Sequence, residues 1–329
     1  MRIPLYLLLS AATLLARSIA AQAPVRPAPA IAISPRHPEG GGLARLSVMG
    51  LESADGETPT LSGTMAGEPL HFTFDEHGVP KAIGAVPVDV SDSVVAVVEV
   101  AHTDGHVDTL RAMLAYPHRK PPSPGGRPPG ARRLRVDRRF ARTDAATEAR
   151  VEHENALARN VGRHAHETPQ LWTQPFERPR TSRVTSTFGS GRIFNGRLGS
   201  SHGGVDFAGK VGEPVQAANR GVVAIVDTFF LAGNVVYIDH GVGVVTGYFH
   251  LSATNVAVGD TVERGQTIGL VGQTGRVTGP HLHWSARYGS LTVDPLDLIV
   301  VTGGQLSTPR TPARNNAKRR PPSGERRTR

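Results

Sequence analysis

Gly279-Pro280-His281-Leu282-His283-Trp284-Ser285-Ala286-Arg287-Tyr288 decides how the C-terminal half of the chain reads. Successive side chains of a strand point to opposite faces. On a strand, His281, His283, Ser285 and Arg287 therefore share one face, and Leu282, Trp284, Ala286 and Tyr288 share the other. The apolar set belongs to a core, which leaves two imidazoles side by side on the opposite face. Upstream lie further strand-like runs at 221–226, 234–238, 243–250 and 267–271, with Gly or Asp in nearly every gap. Residues 179–301 thus read as a β-domain. Val211-Gly212-Glu213-Pro214-Val215 is echoed by Val258-Gly259-Asp260-Thr261-Val262. Such an echo suggests two related hairpin units folded against each other.

Two more segments of this domain carry chemistry. Ser201-His202-Gly203-Gly204-Val205-Asp206 places a His and an Asp four residues apart. Gly-Gly-Val is a poor helix, and in a straight strand the two would lie about 13 Å apart. They reach one ion only if the glycines bend the backbone. Gly247-Tyr248-Phe249-His250-Leu251-Ser252 ends another β-run. The chain has no cysteine. That excludes disulfides, thiol nucleophiles and thiolate metal sites, so a metal must be held by His, Asp or Glu. A catalytic zinc has three protein ligands and one open position. The reading assigns His202, Asp206 and His283 as zinc ligands. His250 and His281 remain to move protons and stabilise a developing oxyanion. His240, in a Gly-flanked turn, is expected to serve a hairpin rather than catalysis.

The ordered set His202-x-x-x-Asp206, Tyr248-Phe249-His250-Leu251 and Gly279-Pro280-His281-Leu282-His283 resembles the lysostaphin-like (LytM-type) zinc endopeptidases. The phrases Thr187-Phe188-Gly189, Gly204-Val205-Asp206-Phe207, Gly259-Asp260 and Gly265-Gln266 extend the match over about 179–298. The resemblance implies a duplicated hybrid motif β-sandwich that binds zinc and cuts peptides of bacterial peptidoglycan. It implies His202, Asp206 and His283 as zinc ligands, with His250 and His281 as catalytic histidines. Phe249 stands where a small residue is common in the family, with no effect on chemistry expected. Relatives that lost their ligands instead bind and activate cell-wall amidases. All five chemical positions survive here, which favours an enzyme. A biotinyl or lipoyl carrier shares such turns but needs a displayed lysine, and Lys210 is the one lysine of this domain.

Outside this domain the chain has another character. Residues 1–21 read as a secretory signal, with Arg2 before a short apolar run at 5–16 and small-residue cleavage options after it. That run is too short to span a bilayer, so the expectation is export to the periplasm or cell envelope, with no transmembrane segment after signal removal. Residues 30–116 carry strand-like runs at 43–48, 70–74 and 94–100 and are expected to form an immunoglobulin-like β-sandwich, a surface for an amidase or another envelope protein. His71, His77, His102 and His106 are scattered in it and expected at the surface. Residues 117–178 read as a Pro/Arg-rich linker plus a helix from Asp144 to about His166, with the pair His164 and His166 solvated at its end. Trp172 and Phe176 are expected to dock this connector on the next domain. Residues 303–329 are a basic disordered tail. The net charge of +9 is concentrated in the two Arg-rich stretches, 117–143 and 303–329. No aromatic residue interleaves with the arginines of the tail, so base stacking has no support and nucleic acid is not an expected partner.

Overall fold

A computed structural model describes residues 28–36, 38–51, 59–90, 92–116, 131–140, 144–195, 197–198 and 201–304. The expected signal at 1–21, the Pro/Gly stretch 117–130 and the tail beyond residue 304 lie outside the described residues. Among the described residues no helix is long and apolar enough to cross a membrane.

The N-terminal strands are β1 (Ala30–Ser34), β2 (Leu43–Met49), β3 (Thr60–Met65), β4 (Glu68–Pro69), β5 (Thr73–Phe74), β6 (Pro80–Ala85), β7 (Ser93–Ala101) and β8 (Val107–Ala115). They form two four-stranded antiparallel sheets, ordered β1-β2-β6-β5 and β4-β3-β7-β8. Along β7, Val94, Ala96, Val98 and Val100 are buried and alternate with exposed or half-buried neighbours. With Leu46, Val48, Met65 and Leu70 they form the core between the sheets, a sandwich of the kind period-two patterning produces. The run 70–74 departs from expectation. Only Thr73 and Phe74 pair, and Phe74 is exposed.

Between the sandwiches, β9 (Arg132–Leu134) pairs in parallel with β11 (Arg192–Phe194), so part of the stretch read as linker lies on the C-terminal domain. Helix α1 (Ala145–His164) is capped by Asp144, whose carboxylate accepts from Thr147 N at 2.8 Å. Its packed face is Glu154, Ala158 and Gly162 rather than large apolar residues. Glu154 accepts from Phe230 N at 2.9 Å. A Cβ at Gly162 would lie 1.9 Å from Gly289 O, so only glycine lets the helix approach this closely. His164 is exposed, but His166 is not solvated: its Nε2 lies 3.0 Å from Glu68 and its Nδ1 lies 2.8 Å from His71.

The C-terminal domain continues with β10 (Val184–Ser186), β12 (Arg197–Leu198), β13 (Val205–Ala208), β14 (Pro214–Gln216), β15 (Gly221–Phe229), β16 (Gly233–Gly241), β17 (Val244–Thr254), β18 (Thr261–Val262), β19 (Thr267–Val271), β20 (His281–Tyr288), β21 (Leu291–Val293) and α2 (Pro295–Val301). The main sheet runs β10-β13-β20-β17-β16-β15-β18, with β14 joined through β19 and β21 joined to β20. Trp284, Tyr248, Tyr288, Phe207 and Leu282 fill its core. The echo in the sequence is structural. Gly212 and Gly259 both take positive φ (89° and 92°), and each turn leads into a short strand with a fully buried valine, Val215 or Val262. Gly212 N donates to Val271 O and Gly259 N to Val223 O, each at 2.8 Å.

The domains share buried surface. Leu43 and Ala85 of the N-terminal sandwich belong to the C-terminal core, with Phe176 and half-buried Trp172. Leu43 N donates to Asp297 at 3.0 Å, and Arg45 Nε to Val301 O at 3.0 Å.

Candidate metal centre

Strands β13 and β20 pair antiparallel with Asp206 directly opposite His283. His202 lies on the extended approach to β13. Its Nε2 is 2.9 Å from His283 Nδ1 and 3.0 Å from Asp206 Oδ1, and Asp206 Oδ1 is 2.9 Å from His283 Nδ1. Three donor atoms from two distant segments therefore meet in one buried triangle. Three ligands of a tetrahedral zinc at roughly 2.0–2.1 Å would sit about 3.3 Å apart, so the triangle is slightly tighter than an ion requires. Two imidazole nitrogens and one carboxylate oxygen are a donor set that suits zinc.

The backbone bends at Gly204, as the approach of His202 to Asp206 requires, and neither Gly203 nor Gly204 needs a positive φ for it. Gly204 also supplies space: a Cβ there would lie 2.4 Å from Trp284 O and 2.8 Å from His283 Nε2.

Main-chain carbonyls fix the imidazole tautomers. Nδ1 of His202 lies 2.9 Å from Thr187 O, Nδ1 of His250 lies 2.8 Å from Thr274 O, and Nδ1 of His281 lies 2.8 Å from Gly279 O. A carbonyl only accepts, so each Nδ1 carries the proton and each Nε2 keeps its lone pair. His202 aims that lone pair at the triangle. His250 and His281 lie beside it, their ring centroids 4.9 Å apart, and His281 Nε2 is 3.7 Å from Asp206 Oδ1.

His250 is placed by a β-bulge. Asn234 pairs with Leu251 and Val236 with Tyr248, so β17 carries one more residue than β16 between these pairs. His250 takes φ = 64° there. Bulges re-aim side chains, and a non-glycine residue in the left-handed region stores strain of order 1–2 kcal/mol.

Burial and charge set the protonation states. Burial alone would push the Asp206 carboxyl up, but hydrogen bonds from His202 and His283 hold it far below the usual carboxylate range. Burial lowers His283 to about 4, against the hydrogen bond to Asp206. Burial, then the neighbouring His281 and His283, takes His250 well below its ordinary value. Near pH 7 His250 and His283 are therefore neutral imidazoles beside an ionised Asp206.

All five residues singled out from the sequence come together. His240 does not join them. It is fully buried in β16, with Nδ1 donating to Arg220 O at 2.7 Å and Nε2 2.8 Å from Thr246 Oγ1, a core hydrogen-bonding post rather than a turn residue. Two contributors, Arg192 and Ser186, escaped the sequence, and the part of a third, Phe249, was misread. Arg192 donates to Asp206 Oδ2 at 2.7 Å. Ser186 Oγ lies 3.1 Å from His202 Nδ1. The Phe249 ring stacks on His283, with centroids 5.1 Å apart and planes 19° apart, which corrects the expectation that Phe249 is indifferent to the site. Period-two reading could have flagged Phe249, because it pairs with His283 across β17 and β20. No spacing rule reaches Arg192.

A duplicated β-sandwich that gathers a His/Asp/His donor set in an open cleft has the architecture of a metallopeptidase. Comparison with known proteins agrees. The sequence profile of peptidase family M23 matches residues 200–295. The chain is 52% identical over 83 residues to peptidoglycan DD-endopeptidase ShyA of Vibrio cholerae, a match covering 25% of this chain and 19% of that protein. It is 45% identical over 101 residues to DD-carboxypeptidase/endopeptidase Mpg of Neisseria meningitidis, covering 31% and 23%. A solved Pseudomonas aeruginosa chain assigned to the M23 peptidases superposes with a TM-score of 0.59 at 25% identity, over 80% of this chain and 96% of that one. Residues 200–295 of the C-terminal domain are thus similar to peptidase family M23, of the LytM type. It spans about a fifth to a quarter of the length of the two curated relatives.

Proposed function

We propose that this protein is a zinc metalloendopeptidase, exported to the cell envelope, that hydrolyses peptide bonds in peptidoglycan stem peptides or their cross-links. The observation that carries the reading is the convergence of His202 Nε2, Asp206 Oδ1 and His283 Nδ1 within 3.0 Å of one another, inside the segment that matches family M23. The names of the relatives, which cut D,D bonds of peptidoglycan, supply the substrate class.

His202, Asp206 and His283 would hold the ion. Bound there, zinc supplies Lewis-acid activation of water and of a scissile carbonyl. The chain supplies the rest. Thr187 O keeps the proton of His202 on Nδ1, which leaves Nε2 as the donor. Arg192 neutralises the outer oxygen of Asp206, so the inner oxygen Oδ1 faces the two imidazoles. Nε2 of His250 and Nε2 of His281 are the acceptors for the proton released by the attacking water. Once protonated, either imidazolium can donate to the developing oxyanion or to the leaving amine. Phe249 covers one face of His283 and limits its motion.

The test is digestion of purified sacculi, with bound metal measured in parallel. His202→Ala, Asp206→Ala and His283→Ala should each lose metal and activity together, and a chelator should abolish wild-type activity. Tight metal binding without release of any peptide fragment would overturn the peptidase reading and favour a binding role such as amidase activation.

A further inference from the structure

Beside His281 and Asp206 lies an open cleft of about 330 Å³. Its walls include Arg183, Arg192 and Arg276, and Asp206 is the one carboxylate among its described lining residues. That carboxylate is already committed. Its Oδ1 meets His202 and His283, and its Oδ2 accepts from Arg192. Arg276 stands 4.1 Å over the Phe194 ring. Among the described residues no carboxylate pairs with Arg276 or with Arg183. Burial, then repulsion from Arg192, depresses the pKa of Arg276, the direction expected where cations crowd without anions. The far wall is apolar: Leu134 and Val136 come from the β9 segment, held by Asn195, whose Nδ2 donates to Val136 O at 3.0 Å and whose N donates to Leu134 O at 2.9 Å.

The half-buried Arg276 guanidinium without a counter-charge is unfavourable in the cleft, and Arg183 stands more exposed at its wall. Arg276 gains most from an incoming anion, because a guanidinium holds a carboxylate through two parallel hydrogen bonds. An aromatic ring under Arg276 limits its rotamers and so keeps its fork pre-aimed. We propose that Arg276 and Arg183 form a carboxylate-binding subsite of this cleft, which selects peptides bearing a free carboxylate close to the bond presented to His281. The proposal rests on the peptidase reading for the identity of the substrate. It narrows that substrate to acidic peptides and excludes neutral bridges such as polyglycine as preferred targets.

The experiment compares a synthetic acidic stem tetrapeptide with the same peptide whose carboxyls are converted to carboxamides. Each is titrated calorimetrically into the zinc-loaded full chain. The titration is repeated after chelation, where a bond from the peptide carboxylate to the metal cannot contribute. The wild-type chain should bind the acid about 10- to 100-fold more tightly than the amide, as expected for charge-assisted hydrogen bonds. The preference should shrink as NaCl is raised. Arg276→Gln should bring the acid-to-amide ratio close to one, Arg183→Gln should reduce it, and Arg276→Lys should leave it intermediate. Arg111→Gln, on exposed β8, should keep the full ratio. The amide peptide is an internal control for folding, because a misfolded variant loses both ligands. Equal wild-type affinities, or a preference that survives Arg276→Gln, overturns the subsite. Binding is read without cleavage, so sacculi that resist digestion would sink the peptidase reading while this ratio still decided the subsite.

Discussion

His250 is the residue at which function and stability should pull apart. It occupies the bulge of β17 at φ = 64°, where an L-residue carries about 1–2 kcal/mol of backbone strain that glycine does not. Its imidazole donates to Thr274 O and lies against His281. Removing the imidazole leaves that carbonyl without its donor, at about 1–3 kcal/mol. His250→Ala should suffer both the lost contacts and the strain. His250→Gly should suffer the lost contacts alone. The glycine variant should therefore be more stable than the alanine variant by about 1 kcal/mol, after allowing for the greater freedom of glycine when unfolded. Urea midpoints for the two variants measure the difference. Both should retain metal, because His202, Asp206 and His283 are untouched, and both should lose about 10²- to 10⁴-fold in turnover on sacculi. An alanine variant at least as stable as the glycine variant would refute the strain argument. A variant that kept full turnover would refute the proton-transfer role.

Three further outcomes are expected. Gly204→Ala drives a methyl against Trp284 O and His283 Nε2, so it should destabilise the chain by about 1–3 kcal/mol and weaken metal binding, read by thermal melts with and without zinc. Arg192→Gln removes the cation from the outer oxygen of Asp206; competition against a chromogenic chelator should show metal affinity down by about 10- to 100-fold, with an unchanged melt of the metal-free protein as the check on fold. Asp294 caps α2 through Leu296 N, and burial, augmented by Asp297 and Glu39, pushes its carboxyl up to about 6. A raised carboxylate pKa means that the folded state binds more protons than the unfolded one between pH 4 and 6, so this group destabilises the fold as pH rises through that window. Asp294→Asn keeps the cap without the charge. It should gain on the wild type between pH 4 and 6, by about 2 kcal/mol at most, and a gap that stays constant with pH would contradict the assignment.

The N-terminal sandwich is docked rather than tethered. Glu68 of β4 accepts from Ser290 N at 2.9 Å and lies 3.0 Å from His166 Nε2, and Tyr288 donates to Pro69 O at 2.6 Å. These contacts reach the β20–β21 hairpin, which begins one strand-length from His281 and His283. The strand that carries the metal-site histidines therefore ends under the other domain.

Local pattern was enough for much of this. The period-two split of 281–288 fixed a strand with an apolar core face and paired imidazoles, because strand geometry depends on neighbours two residues apart. The repeated Val-Gly-acid turns marked two equivalent short strands, β14 and β18, but these pair with β19 and β15 rather than closing hairpins of their own. His202, Asp206, His250, His281 and His283 could be picked out because their spacing and ordered motifs resemble a known family. Other features depended on contacts between residues far apart in sequence. Gly204 matters because Trp284 and His283 press against it, 79–80 residues away by their numbers. The exact face of α1 was hidden because Gly162 and Glu154 meet Gly289 and Phe230, and a helical hydrophobicity pattern does not register small or charged residues as packing positions. His166 looked solvated until Glu68 and His71 closed over it. No local pattern marks Arg183, Arg192 or Arg276, and only folding collects them around one cleft. Sequence determines which side chains are available and how a strand or turn sorts them; the tertiary fold alone decides which distant groups share a space small enough for their charges, volumes and lone pairs to act on one another.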